Sequence, residues 1–270
     1  MKQQNPRRLV VKVGTSTLTR ETGSLNLQNM EKLARVLSDL EGMGYQVVLV
    51  SSGAIGIGTK KLRLEERPRE LRMKQATAAV GQCMMVHIYD KLFAEYNRTV
   101  AQILLTGEDV ESPIRSEHLR NTFEALLELG VIPVVNENDS VSSAEIETGQ
   151  AKVLGDNDTL SAIVARLCGA ELLVLFSDID GLYDADPRTH PDAKLIHTVK
   201  RIDEHILALG GGSGSELGTG GMATKLTAAV TATEAGCEMV IANGAKLKQL
   251  YDIVDGGHVG TRFLRKQAEA

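Results

Sequence analysis

Most of the short apolar runs in this chain do not alternate with polar residues. Leu9 to Val13, Val47 to Val50, Val131 to Val135, Leu172 to Phe176 and Met239 to Ile241 are close to continuously hydrophobic and rich in β-branched side chains. Strands of that kind must be covered on both faces. Longer stretches with helical spacing lie between them. Leu27, Met30, Leu33, Ala34, Leu37 and Leu40 mark one face of a helix that closes at Gly42 and Gly44. Further helices are predicted over about 68–96, 116–129, 156–167, 222–235 and 247–254, and further strands over about 99–105 and 261–264. Strands alternating in this way with helices predict an α/β fold, a three-layer sandwich around a mainly parallel sheet. Pro133 lacks an amide donor, which places it near the beginning of its strand or on a locally unpaired side. No repeat, linker or low-complexity tract divides the 270 residues, so they read as one domain.

Composition narrows the function. A net charge of −5, an aromatic content of 3% and no tryptophan argue against nucleic-acid binding, which wants basic patches and stacking platforms. Cys83, Cys168 and Cys237 are odd in number and far apart among small or apolar neighbours. They read as buried thiols in a reducing compartment, not as a disulfide frame or a metal knuckle. No segment reaches the roughly 18 apolar residues that a membrane span needs, and a cytoplasmic location is expected.

In open parallel sheets, ligands sit beyond the carboxyl ends of the strands. The polar clusters of this chain fall there: Lys12-Val13-Gly14, Ser51-Ser52-Gly53, Asn136-Glu137-Asn138-Asp139 and Ser177-Asp178. Lys12 interrupts an apolar strand, where a lysine is costly unless it is paired or reaches a ligand; a snorkelling edge lysine is the plainer alternative. Ser51 to Gly58 reads as a glycine-rich loop. A second glycine loop, Gly218 to Lys225, runs into a helix and delivers Lys225 into its first turn, a place suited to phosphate groups. A flexible loop with a solvated lysine competes with that reading, and neither standard phosphate-binding fingerprint occurs. Gly155-Asp156-Asn157-Asp158 packs two carboxylates and an amide at a helix start, where Asp156 or Asp158 can serve as the cap.

Two lysines, two glycine loops and several acidic or amide groups, with no histidine or cysteine among them, suit phosphoryl transfer to an acceptor that is already ionised. A carboxylate nucleophile with a pKa of about 4 needs no general base at neutral pH. Positioning and charge neutralisation then carry the catalysis.

The chain resembles the amino acid kinase family through V-V-K-V-G-T-S at Val10 to Ser16, S-S-G-A-I at Ser51 to Ile55, V-N-E-N-D at Val135 to Asp139, G-D-N-D at Gly155 to Asp158, S-D-I-D-G-L-Y at Ser177 to Tyr183, and G-T-G-G-M-A-T-K at Gly218 to Lys225. Within that family, V-N-E-N-D with G-D-N-D is similar to the members that phosphorylate free glutamate. The resemblance implies an N-terminal lobe, about 1–170, for L-glutamate and a C-terminal lobe, about 171–270, for ATP. It implies that Lys12 and Lys225 stabilise the transferring phosphoryl group and that Asp158 holds them. Ser52, Gly53, Asp139 and Asn157 would contact glutamate, with Asp139 facing its ammonium group. Lys12, Ser177, Asp178, Thr219, Gly220, Gly221, Met222, Ala223, Thr224 and Lys225 would line the ATP site. Mg2+ would be carried mainly by the phosphates, with no protein metal site. The product, an acyl phosphate, would open proline biosynthesis; inhibition by proline and a dimeric or tetrameric assembly are also implied.

Two departures from the family pattern stand out. Many members carry a further C-terminal domain of the PUA type, which this sequence lacks, and the stretch between Glu145 and Gly155 is longer than usual. The segment 141–154 reads as a hairpin or projecting loop bordering the glutamate site. Rival readings are a sibling kinase with another small acid as acceptor, and a regulatory protein that binds the nucleotide without turnover.

Overall fold

The computed structural model describes residues 7–20, 24–141, 154, 156–211 and 221–266. The order begins with β1 (Arg8–Val13), a short α1 (Thr15–Leu18), α2 (Leu27–Gly42), β2 (Gln46–Ser51), α3 (Ala54–Lys61) and the long α4 (Leu71–Ala94). It continues with β3 (Val100–Leu105), α5 (Gly107–Glu111), α6 (Pro113–Glu128), β4 (Ile132–Glu137) and α7 (Asn157–Leu167). The remainder is β5 (Leu172–Ser177), β6 (Thr198–Val199), α8 (Glu204–Ala208), α9 (Met222–Glu234), β7 (Glu238–Asn243), a 3-10 turn at Gly244–Lys246, α10 (Gln249–Val254) and β8 (Thr261–Phe263).

These strands form one sheet in the order β3-β4-β2-β1-β5-β7-β8-β6. The pairings are parallel except β7 with β8, which is antiparallel. Continuous apolar strands do what their composition requires, burying both faces. Val10, Val50, Leu173, Leu175 and Ile241 meet Phe123, Leu160, Val164, Leu226 and Ala229 of α6, α7 and α9. On the other side Leu9, Val11, Leu49, Val174 and Phe176 meet Met30, Leu33, Leu37, Met85, Tyr89 and Phe93 of α2 and α4. Each such side chain contributes about 1.5–3 kcal/mol by leaving water. The α2 stripe is buried as expected except at its start, where Leu27 is exposed.

Pro133 is the second residue of β4, and β2 joins β4 only from Leu49↔Val134 onward, so the missing amide costs no bond on that side. Two sequence expectations change, the glycine loop at Ser51 to Gly58 and the burial of Cys83. Ala54 to Lys61 is a helix, not a glycine loop, because two of its contacts demand glycine for packing and not for flexibility. A Cβ on Gly58 would come to 1.9 Å from the Thr77 carbonyl, and one on Gly81 to 1.8 Å from the Ala54 carbonyl, so α3 and α4 touch backbone to backbone. The 3-residue β8 runs against the sheet direction, and the 2-residue β6 was too short to carry a periodic signal. Cys168 and Cys237 are buried, whereas Cys83 of α4 is exposed, in the groove that α4 lines with β3. No helix among the described residues is long and apolar enough to cross a membrane.

Candidate active site

β1 lies between β2 and β5 near the middle of the sheet, which removes the edge-strand explanation for Lys12. Its side chain leaves the strand on the same face as Val10, toward α7 and α9, and is 8% exposed. There its Nζ lies 2.5 Å from Asp158 Oδ1. Lys225 Nζ donates to the other oxygen, Asp158 Oδ2, at 3.0 Å. One carboxylate, itself 2% exposed, thus holds two buried ammonium groups, one on each oxygen.

Local chain chemistry puts these three groups where they are. Asp156 is the cap of α7, its Oδ1 accepting from the amides of Asp158 and Thr159 at 2.7 and 3.0 Å. That leaves Asp158 free to turn inward from the first turn, where a negative charge suits the helix dipole. Lys225 occupies the fourth position of α9, where a cation is disfavoured by the same dipole and needs a partner. Burial pushes the Asp158 carboxyl up, but the charges of Lys12 and Lys225 outweigh it, and the net direction is below the ordinary carboxylate range. The carboxylate is therefore ionised at neutral pH.

Three helix starts are capped by glycine and so carry no side-chain cap: Gly14, Gly53 and Gly221 begin α1, α3 and α9. Side chains cap α2, α5, α6, α7 and α8, while α4 and α10 begin at Glu70 and Lys248 without a side-chain cap bond. Amides at the start of α3 and α9 are thereby available to anionic groups. Gly53 adopts φ +97, a conformation that side-chain-bearing residues resist, and a Cβ on Gly14 would stand 3.5 Å from Lys12 Nζ. Thr224 Oγ1 lies 2.8 Å from the Gly221 carbonyl and 3.2 Å from Asp158 Oδ2, so its single proton is shared between the first turn of α9 and the same carboxylate.

Those of the other expected residues that are described lie at strand ends and helix starts. Ser52 is buried and donates to the Val13 carbonyl at 3.1 Å, tying the end of β2 to the end of β1 while its oxygen retains acceptor capacity. Asn157 is half-buried beside Asp158, and Asp139 is half-buried in the turn after β4. Ser177 is buried at the end of β5 and donates to the exposed Asp178 at 3.0 Å. Met222 and Ala223 form the first turn of α9. Thr219, Gly220 and most of the 141–154 segment lie outside the described residues. Behind the site, Ser51 Oγ shares a 3.0 Å hydrogen bond with Tyr89 and donates to Met85 Sδ at 3.4 Å. Neither partner belongs to a motif; the legible signal is a polar group recurring on the inward face of α4.

Among the described residues no cluster of three or more His, Cys, Asp or Glu could hold a metal ion. Asp158 is fully engaged by lysines, so a divalent ion at this place would have to arrive with its own phosphate ligands. Two open grooves, of about 520 and 270 Å3, lie on the β3 side of the molecule, and neither is lined by Lys12, Asp158 or Lys225.

Comparison with known proteins agrees with the geometry. The profile of the amino acid kinase family matches residues 7–243. Glutamate 5-kinase of Clostridium perfringens is 53% identical over 266 residues, covering 98% of this chain and 98% of its own. Glutamate 5-kinase of Clostridium tetani is 54% identical over 255 residues, covering 94% of this chain and 93% of its own. Among solved structures, a carbamate kinase from Giardia lamblia bound to AMP-PNP is similar with a TM-score of 0.69 at 17% identity, over 96% of this chain and 99% of that one. UMP kinase from Ureaplasma parvum gives a TM-score of 0.64 at 15% identity, over 97% and 100%. At such identities the two structures speak for the fold alone. With its parallel sheet, its motifs at the strand ends and a matching profile over most of its length, the chain belongs to the amino acid kinase family.

Proposed function

We propose that this chain is a cytoplasmic enzyme that phosphorylates the side-chain carboxylate of L-glutamate with ATP, giving L-glutamyl 5-phosphate and ADP, the first step of proline biosynthesis. The observation that carries this reading is the Lys12–Asp158–Lys225 centre, a pair of buried cations held by one anion. Identity above 50% to glutamate 5-kinases over nearly the whole chain supports the choice of acceptor.

The γ-carboxylate of glutamate is ionised at neutral pH and attacks the γ-phosphorus in line; ADP leaves with the electron pair of the broken bond. No proton needs to be moved, which fits a centre without histidine. Lys12 and Lys225 meet the charge that develops on the transferring group. A full charge about 4 Å from it is worth on the order of 4 kcal/mol at an effective dielectric near 20, of which only the excess over ground-state binding counts. Asp158 fixes both lysines before substrates arrive, so little reorganisation is left for the reaction itself. Ser52, Gly53, Asp139 and Asn157 take glutamate, the Asp139 carboxylate receiving its ammonium group. Ser177, Asp178 and the stretch Thr219, Gly220, Gly221, Met222, Ala223, Thr224 and Lys225 take ATP, with the uncapped start of α9 toward the phosphates. Mg2+ would enter with ATP, bound mainly by the nucleotide and not by a cluster of described side chains, and would add positive charge toward the phosphates.

In this reading the strands from β1 to β4 with α3 and α4 build the glutamate lobe, and β5 to β8 with α9 build the nucleotide lobe. The same reading expects a dimer or tetramer and inhibition by proline, which light scattering and proline titration check. The deciding assay is ADP release with L-glutamate, N-acetylglutamate, aspartate and UMP as separate acceptors, for the wild type, Lys225→Ala and Asp139→Ala. Glutamate-dependent turnover lost in both variants is expected. Turnover with a different acceptor would overturn the substrate, and silence with all four would overturn the enzyme reading.

A further inference from the structure

Three contacts of one helix converge behind the loops assigned to glutamate. Tyr89 of α4 bonds Ser51, the residue before Ser52. Gly81 lies against the carbonyl of Ala54, the residue after Gly53. Gln82 Nε2 donates to the Glu137 carbonyl at 3.1 Å, two residues before Asp139. The first two contacts are also good packing. The third is not explained by packing.

Gln82 is 5% exposed, and among the described residues its Oε1 has no hydrogen-bond partner. A buried acceptor left without a partner costs about 1–3 kcal/mol, so the amide brings a penalty of its own beside the one bond it makes. What the amide supplies is a link to the end of β4. On its β3 side β4 stays paired to its end, at Leu105↔Glu137, but on the β2 side, where Ser52 and Gly53 lie, the ladder stops at Val50↔Val135, two residues short of Glu137. Gln82 reaches the strand beyond that point, where it turns into Asn138 and Asp139.

We propose that Gln82 is a positioning residue for the amino acid substrate. By tying the Glu137 carbonyl to α4, it holds the Asp139 turn at a set distance from the Ser52–Gly53 loop, which the same helix holds through Ser51 and Ala54. Both ends of the substrate, its ammonium group at Asp139 and its carboxylates near Ser52 and Gly53, are then gauged by one rigid element. The proposal rests on the reading that these two loops bind glutamate. Lys225 and Asp158 stand on α9 and α7, whereas α4 packs on α3, α2 and β3, so the nucleotide half is not gauged by it.

The test is steady-state kinetics on the purified full chain, with thermal unfolding measured alongside. Wild-type turnover with glutamate is the precondition, and its absence would overturn the functional reading and this proposal together. Given that turnover, Gln82→Leu should raise KM for glutamate tenfold or more, leave KM for ATP within about twofold, and leave Tm close to that of the wild type, since it removes one unpartnered acceptor and leaves another at the Glu137 carbonyl. Unchanged KM for glutamate, or a parallel rise in both KM values, would overturn the positioning role alone. Gln82→Glu gives the second arm, which also decides if Gln82→Leu does not fold. Above the pKa of the introduced carboxyl, which burial raises, the carboxylate cannot donate to the Glu137 carbonyl, and KM for glutamate should rise. As pH falls and the carboxyl is protonated, the donor returns, so the ratio of its KM to that of the wild type should fall. A ratio independent of pH would refute the proposal.

Discussion

Lys225 stands in the first turn of α9, against the helix dipole, and its ammonium is held there by Asp158 at 3.0 Å. That placement is unfavourable for a lysine in isolation and is stable because the carboxylate, buried with it, also carries Lys12. Replacing the anion therefore acts on two cations at once. Asp158→Asn keeps the volume but leaves two buried ammonium groups facing each other, and breaking a buried pair from one side costs about 3–5 kcal/mol. Urea unfolding should show a loss of that order. Turnover should fall by roughly a hundredfold or more, since a displacement near 1 Å of a catalytic group has that effect. A variant with near-normal kcat would mean that the lysines hold their places without Asp158.

The same carboxylate sets an acid limit. Burial raises its pKa, Lys12 and Lys225 lower it more, and the folded value lies below that of the unfolded chain. On acidification the unfolded chain takes up the proton first. The stability from Asp158 is thus fully present above about pH 3.9 and is lost as pH falls from there through the depressed folded pKa. Unfolding free energies of wild type and Asp158→Asn should differ by a constant amount between about pH 5 and 7, and the gap should narrow below about pH 4. A gap that widens in acid would contradict the sign.

Much of this architecture was legible because parallel strands buried on both faces leave an unambiguous trace, and because charged residues at their ends have few other reasons to be there. Lys12 in an apolar strand and Asp158 at a helix start carry no local sign of their pairing, which only the family resemblance implied, since what joins them is three-dimensional proximity between β1 and α7. Glycines misled where they served contact and not flexibility. Ser51 to Gly58 has the composition of a loop, but Gly58 is needed for the approach of Thr77, which lies in a different helix and leaves no local mark. Gln82 was not singled out for a related reason. One amide on a long helix looks like an ordinary surface residue until its burial is known.

The α3–α4 contact predicts opposite outcomes for neighbouring glycines. Gly58→Ala and Gly81→Ala would drive a methyl group to within 2 Å of a backbone carbonyl, which the helices can relieve only by separating. Each should destabilise by about 1–3 kcal/mol or more and, because Ala54 follows Gly53, raise KM for glutamate. Gly56 lies in the same helix, and a methyl group added there would meet nothing within 4 Å, so Gly56→Ala should stabilise by about 0.5–1 kcal/mol through helix propensity. Denaturation midpoints of the three variants decide the matter.

Thiol reactivity should divide the cysteines by burial. Burial pushes the Cys168 thiol up to about 12 and the Cys237 thiol higher still, so neither forms the reactive thiolate at neutral pH. Cys83 is exposed. A thiol reagent should modify one cysteine rapidly in the native protein and all three in denaturant, and Cys83→Ser should abolish the fast phase. Two fast-reacting thiols in the folded wild type would be incompatible with the packing of α7 and β7.

Arg63 closes α3 in a conformation that usually belongs to glycine. Its φ is +56, and the amide of Leu64 returns to the Thr59 carbonyl at 3.0 Å, the pattern of a helix end that reverses through one left-handed residue. An L residue with a Cβ resists that conformation by about 1–2 kcal/mol, and glycine removes this cost but gives part of the gain back through its greater freedom in the unfolded chain. Arg63→Gly should therefore stabilise by about 0.5–1 kcal/mol, read as a higher urea midpoint with an unchanged slope. Asn97 holds the same position after α4 with φ +55, and asparagine tolerates that region far better than arginine. Asn97→Gly should accordingly gain less than Arg63→Gly. Equal gains at the two sites would mean that the cost at Arg63 comes from its charge among the neighbouring Lys60 and Lys61, and raising the salt concentration would then remove it.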